Sequence, residues 1–401
     1  MKKIIKKLLL KPPYVKWCSQ TIYQSLLGTV KIFELTGEKV WEDRSRELYE
    51  ILSKIQQPDG GFDIGYNFDF GLLHRKGEST SPEMVGLLAM LEYGRVFGFN
   101  DNLICNIEKA IGWIEKYSIK IDNDYVFIPY APYSTAKVMV YNGTSFVCGA
   151  LGYYLGLLNK KNTRLENLYY GMIKYLDQKL IKNQNYAGRC WFYYDQERTD
   201  IIKEKKNKID YYHQMQQVEM HCYSQFVAPH KAQLSIIRDA SLYVIDVFEK
   251  EKIVPYTNNS NDFGGNIHLW GFSSILPAVI QAKKILTEEL KGSEELCKFT
   301  LDFILDKGWN GKSFYAEVNR DGIGVEADYM VRSDSWVFNS LATYLCFSKN
   351  DYRKEEIIEV LDICYNTMAN VNFSGLESHA STLKTRVVGK TFTFFKQIFQ
   401  N

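Results

Sequence analysis

A unit of two helix-like stretches and a loop recurs along the whole chain, and that recurrence restricts the fold more than any other feature. One stretch is strongly apolar and the next more charged. The loop that follows is rich in Gly, aromatic and polar residues. The clearest copy ends in Gln56-Gln57-Pro58-Asp59-Gly60-Gly61-Phe62-Asp63, and later copies end around Trp191-Phe192-Tyr193-Tyr194-Asp195, Phe263-Gly264-Gly265-Asn266-Ile267-His268 and Trp309-Asn310-Gly311-Lys312-Ser313-Phe314-Tyr315. Self-similarity at such a spacing marks repeated supersecondary units that bury their apolar faces on one another.

Six hairpins can be placed. They pair 17–35 with 40–56, a helix begun at 79–83 with 101–117, a helix from about 142 with 163–181, 211–226 with 230–250, 270–286 with 293–306, and 334–348 with 352–369. Gly37 is placed to cap the first helix, because a glycine tolerates the left-handed C-cap conformation. Ser79-Thr80-Ser81-Pro82-Glu83 supplies a cap, a first-turn proline and a first-turn acid. Gly149, Gly152 and Gly156 cost helix stability, and so predict close approach of a neighbouring helix. The turns inside hairpins are short. The connections between them (57–79, 118–141, 182–210, 251–269 and 307–333) are long, which is where function concentrates. Closing six hairpins gives an all-α (α/α)6 toroid with these loops on one face; an open solenoid would have more uniform repeats. No linker or low-complexity tract divides the chain, so the reading is one domain over 1–401, with a basic lead at 1–16 and a less regular tail at 370–401.

Composition narrows the function. The 46% hydrophobic content of the 401 residues suffices for a large core, and the net charge of +2 provides no field to attract nucleic acid. The 28 Tyr and 23 Phe crowd the loops, where aromatic faces suit sugars or isoprenoid chains. Eight scattered cysteines, without a CxxC pair, read as reduced and buried, which predicts a cytoplasmic protein. The segment Met1-Lys2-Lys3-Ile4-Ile5-Lys6-Lys7-Leu8-Leu9-Leu10-Lys11 imitates a signal peptide, but lysines break its apolar run and no cleavage site follows. It reads as a soluble leading helix or, alternatively, as an amphipathic contact with a membrane surface.

The turn Gln56-Gln57-Pro58-Asp59-Gly60-Gly61-Phe62 resembles the Gln-x-x-Asp-Gly-Gly-aromatic turn of α/α toroid proteins, among them terpenoid cyclases, six-hairpin glycosidases and lyases, and glucuronyl C5-epimerases. Trp191-Phe192-Tyr193-Tyr194, Ile209-Asp210-Tyr211-Tyr212-His213 and Val331-Arg332-Ser333-Asp334-Ser335-Trp336 resemble segments of toroid proteins encoded in bacterial surface-polysaccharide clusters. The resemblance implies epimerase, lyase or hydrolase chemistry on a uronic-acid-type sugar, with an oligosaccharide or polysaccharide as partner. A non-catalytic glycan-binding subunit and an isoprenoid-processing enzyme are the alternatives. The second lacks the Asp-x-Asp-Asp run that a class II terpenoid cyclase needs.

Candidate site residues gather where long loops enter helices. Asp210-Tyr211-Tyr212-His213 is one such entrance. A histidine there suits proton transfer at neutral pH, with Tyr211 or Tyr212 as partner. Arg332 can hold a sugar carboxylate bidentately. Asp63 and Asp69 are the candidate second acid/base, although Asp59 in the same loop is explained as a turn former. Substrate contacts are expected from His74, Tyr133, Lys137, Tyr141, Asn142, Tyr193, Asp210, Gln217, His268 and Asp334, with Trp191, Trp270 and Trp336 as stacking walls. His213 and His221 share a helical face but stand roughly 12 Å apart at 1.5 Å per residue, too far to ligate one metal. No H-E-x-x-H run occurs, so neither metal nor organic cofactor is expected.

Overall fold

The structure, a computed structural model, describes residues 18–65, 68–69, 73–74, 77–122, 124–133, 139–197, 207–259, 261–286, 290–325, 329–348 and 351–373, with 68–69, 73–74 and 263 given by their backbone. The basic lead and nearly all of the tail lie outside these residues, as does Lys137; the side chains of Asp69 and His74 do too.

Two kinds of helix alternate. Helix α1 (Ser19–Thr36) is buried on every side from Ser19 to Ile32, whereas α2 (Lys39–Ile55) buries only Trp41, Ser45, Leu48, Tyr49 and Leu52. The spacing of three and four in α2 is the single stripe of an amphipathic surface helix, and burial all round marks an interior one. The contrast repeats in α3 (Val85–Phe97) with α4 (Asp101–Tyr117), α5 (Tyr141–Leu157) with α6 (Thr163–Gln178), α7 (Tyr211–Val227) with α8 (Lys231–Glu251), α9 (Ile275–Ile285) with α10 (Ser293–Phe303), and α11 (Val331–Phe347) with α12 (Lys354–Asn370). Each interior helix packs on the next, and α11 returns to pack on α1, closing a ring. The outer helix of each pair lies against its own inner helix.

Local chemistry sets the ends. Gly37 caps α1 at φ 69°, its N–H donating to the Phe33 carbonyl. Side chains of Asn100, Asn162 and Asp210 accept the first free N–H groups of α4, α6 and α7. The three glycines of α5 do bring a neighbour close: a Cβ on Gly149 would stand 2.5 Å from the Met220 carbonyl oxygen of α7. In the fifth hairpin the expected helix from 270 is interrupted. A single turn, Leu269–Phe272, is followed by a break and a restart at Ile275. Pro277 explains the restart, because its ring would clash with the carbonyl of Ser273 in a continuous helix, and in the first turn its missing N–H costs nothing.

The inter-hairpin loops contain small antiparallel strands, too short to leave an alternating pattern in the sequence. β1 (Phe68–Asp69) pairs with β2 (Leu73–His74), and β3 (Ile119–Ile121) with β4 (Tyr125–Phe127). β5 (Ile267–His268), β6 (Glu317–Val318) and β7 (Gly324–Val325) stitch together the loops before α9 and α11. Further bridges join Val140 to Tyr194 and Asp210 to Thr257. The loops therefore hold one another at the end of the ring where the interior helices begin.

Candidate active site at the mouth of the ring

The Asp-Gly-Gly turn is structural. Gln56 Nε2 donates to the carbonyls of Gly60 and Asn106, each at 2.9 Å. Asp59 accepts from the Gly61 N–H, Ser79 Oγ and Trp113 Nε1 at 2.9–3.0 Å, and from the Tyr133 hydroxyl. Gly60 adopts φ +93° and passes so close to the Lys109 carbonyl that no side chain fits. This turn fastens the first hairpin to the second.

Inside the mouth lies a cavity of about 170 Å³, lined by Gln20, Ile64, Pro82, Tyr130, Asn142, Phe146, His213, Gln216, Trp270, Arg332 and Trp336. All six interior helices or the turns that begin them contribute to it, each through a residue near its N-terminal end. His213, Arg332, Trp270, Trp336 and Asn142 are among the residues the sequence singled out. Two polar atoms in its wall, Asn142 Oδ1 and Gln216 Nε2, are buried without a hydrogen-bond partner among the described residues. Such orphans are costly unless a ligand or water completes them.

His213 is held from several directions. Asp210 caps the helix by accepting the His213 N–H at 3.0 Å, and its second oxygen lies 2.9 Å from His213 Nδ1. Burial pushes the Asp210 carboxyl up, but the His213 ring, Lys208 and the capped N–H together outweigh it and hold the group at about 2. Asp210 is therefore a carboxylate at neutral pH, and it stands against the Nδ1 side of the His213 ring. Tyr193 and Trp270 each meet the imidazole edge-on, at 5.0 and 5.4 Å between centroids. The Arg332 guanidinium lies 5.5 Å from the Trp270 ring centroid, within cation–π range.

Behind the cavity, Trp336 Nε1 donates to Gln20 Oε1 at 3.2 Å, and Gln20 Nε2 donates to Glu83 Oε1 at 2.8 Å. Glu83 is fully buried. Burial pushes its carboxyl up to about 7 against the hydrogen bonds from Gln20 and Ser19, the nearby Asp63 charge pushing the same way and Arg332 opposing. Burial and the same glutamate raise Tyr130, keeping it a neutral phenol. Tyr130 and Glu83 were missed by the sequence reading. Glu83 has a complete local explanation in its place in a helix's first turn, and Tyr130 shares its Pro-Tyr-Ala-Pro-Tyr run with Tyr133, with no local feature to set it apart.

Several expected site residues are placed elsewhere. Tyr212 is buried, with its hydroxyl donating to the Val254 carbonyl, and Tyr211 packs on Tyr243 in the layer between α7 and α8. Trp191 is 2% exposed, donates to the Leu176 carbonyl and stacks on His221, so it is core and not a sugar wall. His221 is itself buried, in contact with Gln233 at 3.0 Å, and burial lowers it to about 3. Gln217 accepts from Ser145 and ties α7 to α5, while its neighbour Gln216 reaches the cavity. Both Asp63 oxygens accept backbone N–H groups, of Gly65 at 3.0 Å and Gly77 at 2.6 Å, which makes it a clamp of its loop. Asp334 accepts from the Phe314 N–H and the Tyr329 hydroxyl beneath the last loop. Tyr133 is exposed and spent on Asp59, and Tyr141 is buried against Tyr175. His268 faces Glu317 at 3.8 Å and Tyr256 at 5.2 Å, at the rim.

Comparison with solved structures agrees with the ring. The chain is similar to a cellobiose 2-epimerase from Bacillus thermoamylovorans B4167 (TM-score 0.60, 11% identity, 80% of this chain and 86% of that one). The fold is the (α/α)6 toroid. A D-mannose isomerase (TM-score 0.58, 11% identity, 86% and 88%) and an unsaturated glucuronyl hydrolase specific for heparin (TM-score 0.56, 12% identity, 84% and 86%) share it. No family model matches the toroid's sequence, and neither does any curated protein. Among the described residues no group of three or more His, Cys, Asp or Glu could hold a metal ion, and no helix is long and apolar enough to cross a membrane.

Proposed function

We propose that this toroid is a carbohydrate-active enzyme that moves a proton on a uronic-acid-type sugar, as an epimerase or lyase does, with 1–401 working as one domain. The observation that carries the reading is the Asp210–His213 pair facing a cavity that also holds Arg332 and two tryptophans. Among the described lining residues the titratable groups are His213, Tyr130 and Arg332, which is a proton-transfer set; glycoside hydrolysis by two facing carboxylates would need a different one. Arg332 would hold the sugar carboxylate. His213 Nε2 would take the proton from the adjacent carbon, where Arg332 stabilises the resulting negative charge. Tyr130, kept neutral, would serve as proton donor on return. Trp270 and Trp336 offer apolar faces to the ring carbons. Three solved toroids similar to this chain carry the names of a sugar epimerase, a sugar isomerase and a glucuronyl hydrolase, and this makes a sugar substrate the natural one. A place in surface-polysaccharide synthesis rests on the resemblance of the segments around Trp191, His213 and Arg332. The polar lining speaks against an isoprenoid.

The test is deuterium incorporation at C5 of glucuronic-acid oligosaccharides in D₂O. Wild-type protein should exchange that proton, and His213→Ala should not, while still binding the sugar. Unchanged exchange in His213→Ala would remove the mechanism. Binding without exchange in the wild type would favour a glycan-binding role.

A further inference from the structure

We infer that the ring is a blind pocket that receives one sugar ring at the end of a glycan chain, its far side sealed by a network around Lys31, Glu92 and Glu219. The inference rests on the sugar reading of the mouth and adds which unit of the chain can enter.

The interior helices begin at the mouth, so residue number measures depth. From His213 to Tyr223 along α7 the chain descends roughly 15 Å at 1.5 Å per residue. Three layers follow. The mouth layer is the cavity described above. Beneath it, Gln24, Phe146, Gln216, Trp336 and Asn339 surround a hollow of only about 10 Å³. That is room for about one water molecule, whereas the mouth cavity is some way below the roughly 300 Å³ at which drug-sized pockets start. One pyranose ring therefore matches the upper space, and nothing larger than water passes the lower one.

The third layer closes the ring. Lys31 Nζ donates to Asn339 Oδ1 at 2.9 Å, and Asn339 Nδ2 donates to Gln24 Oε1 at 2.6 Å. The same ammonium lies 5.5 Å from the Tyr223 ring centroid. Tyr223 meets Tyr153 edge-on at 5.9 Å, and the Tyr153 hydroxyl donates to Glu92. Glu92 is bound in turn to Arg95 at 2.9 Å, and Arg95 pairs with Glu34. Lys31, Glu92 and Glu219 are all at least 95% buried. Five interior helices supply these groups: α1, α3, α5, α7 and α11. Isolated buried charges are prohibitively costly; here Glu92 is paired with Arg95 and Lys31 is held by Asn339, while burial raises the Glu219 carboxyl, beside the small hollow, to about 7. These contacts bind the five helices to one another, and among the described residues the small hollow is the one space seen between them and the mouth cavity.

A sugar inside a polymer carries a glycosidic link on each side and needs two ways out of its site. A pocket with one opening and room for one ring accepts a unit with a single link, which is a chain terminus.

The test compares binding to the full-length protein, by calorimetry, of methyl D-glucuronide, short glucuronic-acid-containing oligosaccharides, and a long polymer of the same repeat. The expected result is one site per chain end, with the affinity per uronic-acid unit falling in proportion to chain length. Oligosaccharides reduced at one end, or capped at the other, then report which terminus enters. A long polymer that binds as well per unit as the short chains would overturn the blind pocket while leaving the sugar reading intact. If none of the three probes binds, the uronic-acid reading itself fails, and the pocket inference with it.

Discussion

Asp210 Oδ2 lies 2.9 Å from His213 Nδ1, while the other oxygen of the same carboxylate accepts the His213 backbone N–H at 3.0 Å. One side chain thus caps a helix and orients the ring that begins it. A helix start is held more rigidly than a loop, and the cap makes the orientation of the imidazole a consequence of helix formation.

Replacing Asp210 by Asn should separate these two tasks. Asn caps almost as well as Asp, so the helix should persist, but Nδ1 loses its carboxylate and proton exchange should fall by at least tenfold. The group's lowered value also has a thermodynamic sign. Its contribution to stability is complete above the ordinary aspartate range, near pH 4, and is lost as the pH falls through about 2. The shift corresponds to about 2 kcal/mol, so acid denaturation of Asp210→Asn between pH 4 and 2 should be shallower than that of the wild type by this amount.

Glu83 predicts the opposite slope. Its carboxyl stays protonated up to about 7 in the folded protein, whereas in the unfolded chain it ionises near 4.5. Its contribution is complete below pH 4.5 and fades as the pH rises through 7. Glu83→Gln should flatten that decline and exceed the wild type above pH 7 by up to about 3 kcal/mol, read from urea midpoints across the pH range. Equal pH dependence in both proteins would show that the group is ionised in its pocket.

Two glycines within helices should respond in opposite directions to alanine. At Gly149 the new methyl meets the Met220 carbonyl of α7, and the loss should be about 1–3 kcal/mol. At Gly112, in the middle of α4, nothing stands within 4 Å, and the gain in helix propensity should stabilise by up to about 1 kcal/mol. Thermal unfolding of the two variants checks both signs.

The tryptophans should divide into core and site. Trp191→Ala removes a 2%-exposed side chain and should cost about 3–5 kcal/mol of stability without altering the affinity of refolded protein for methyl D-glucuronide. Trp270→Ala, at the cavity wall, should lower that affinity about tenfold while shifting stability by less than about 1 kcal/mol.

The sequence by itself determined the six hairpins, the alternation of interior and surface helices, and the face of the ring on which the long loops gather. Those follow from periodic burial and from caps such as Gly37 and Asp210, which act over a few residues. It also reached His213, Arg332, Asn142, Trp270 and Trp336, because polar and aromatic groups at helix entrances have no local explanation. Tertiary structure alone decided between neighbours. Gln216 reaches the cavity and Gln217 faces α5; Tyr130 lines the cavity and Tyr133 does not; Tyr211, Tyr212 and Trp191 belong to the core. The reason is geometric. Successive residues on a helix point about 100° apart, and a helix buried on every side offers no polar face to show which direction is the interior of the ring. Glu83 belongs to the same class. Its chemistry comes from burial behind Gln20 and Ser19, partners more than sixty residues away in the chain, and no local pattern records a contact that exists only once the ring has closed.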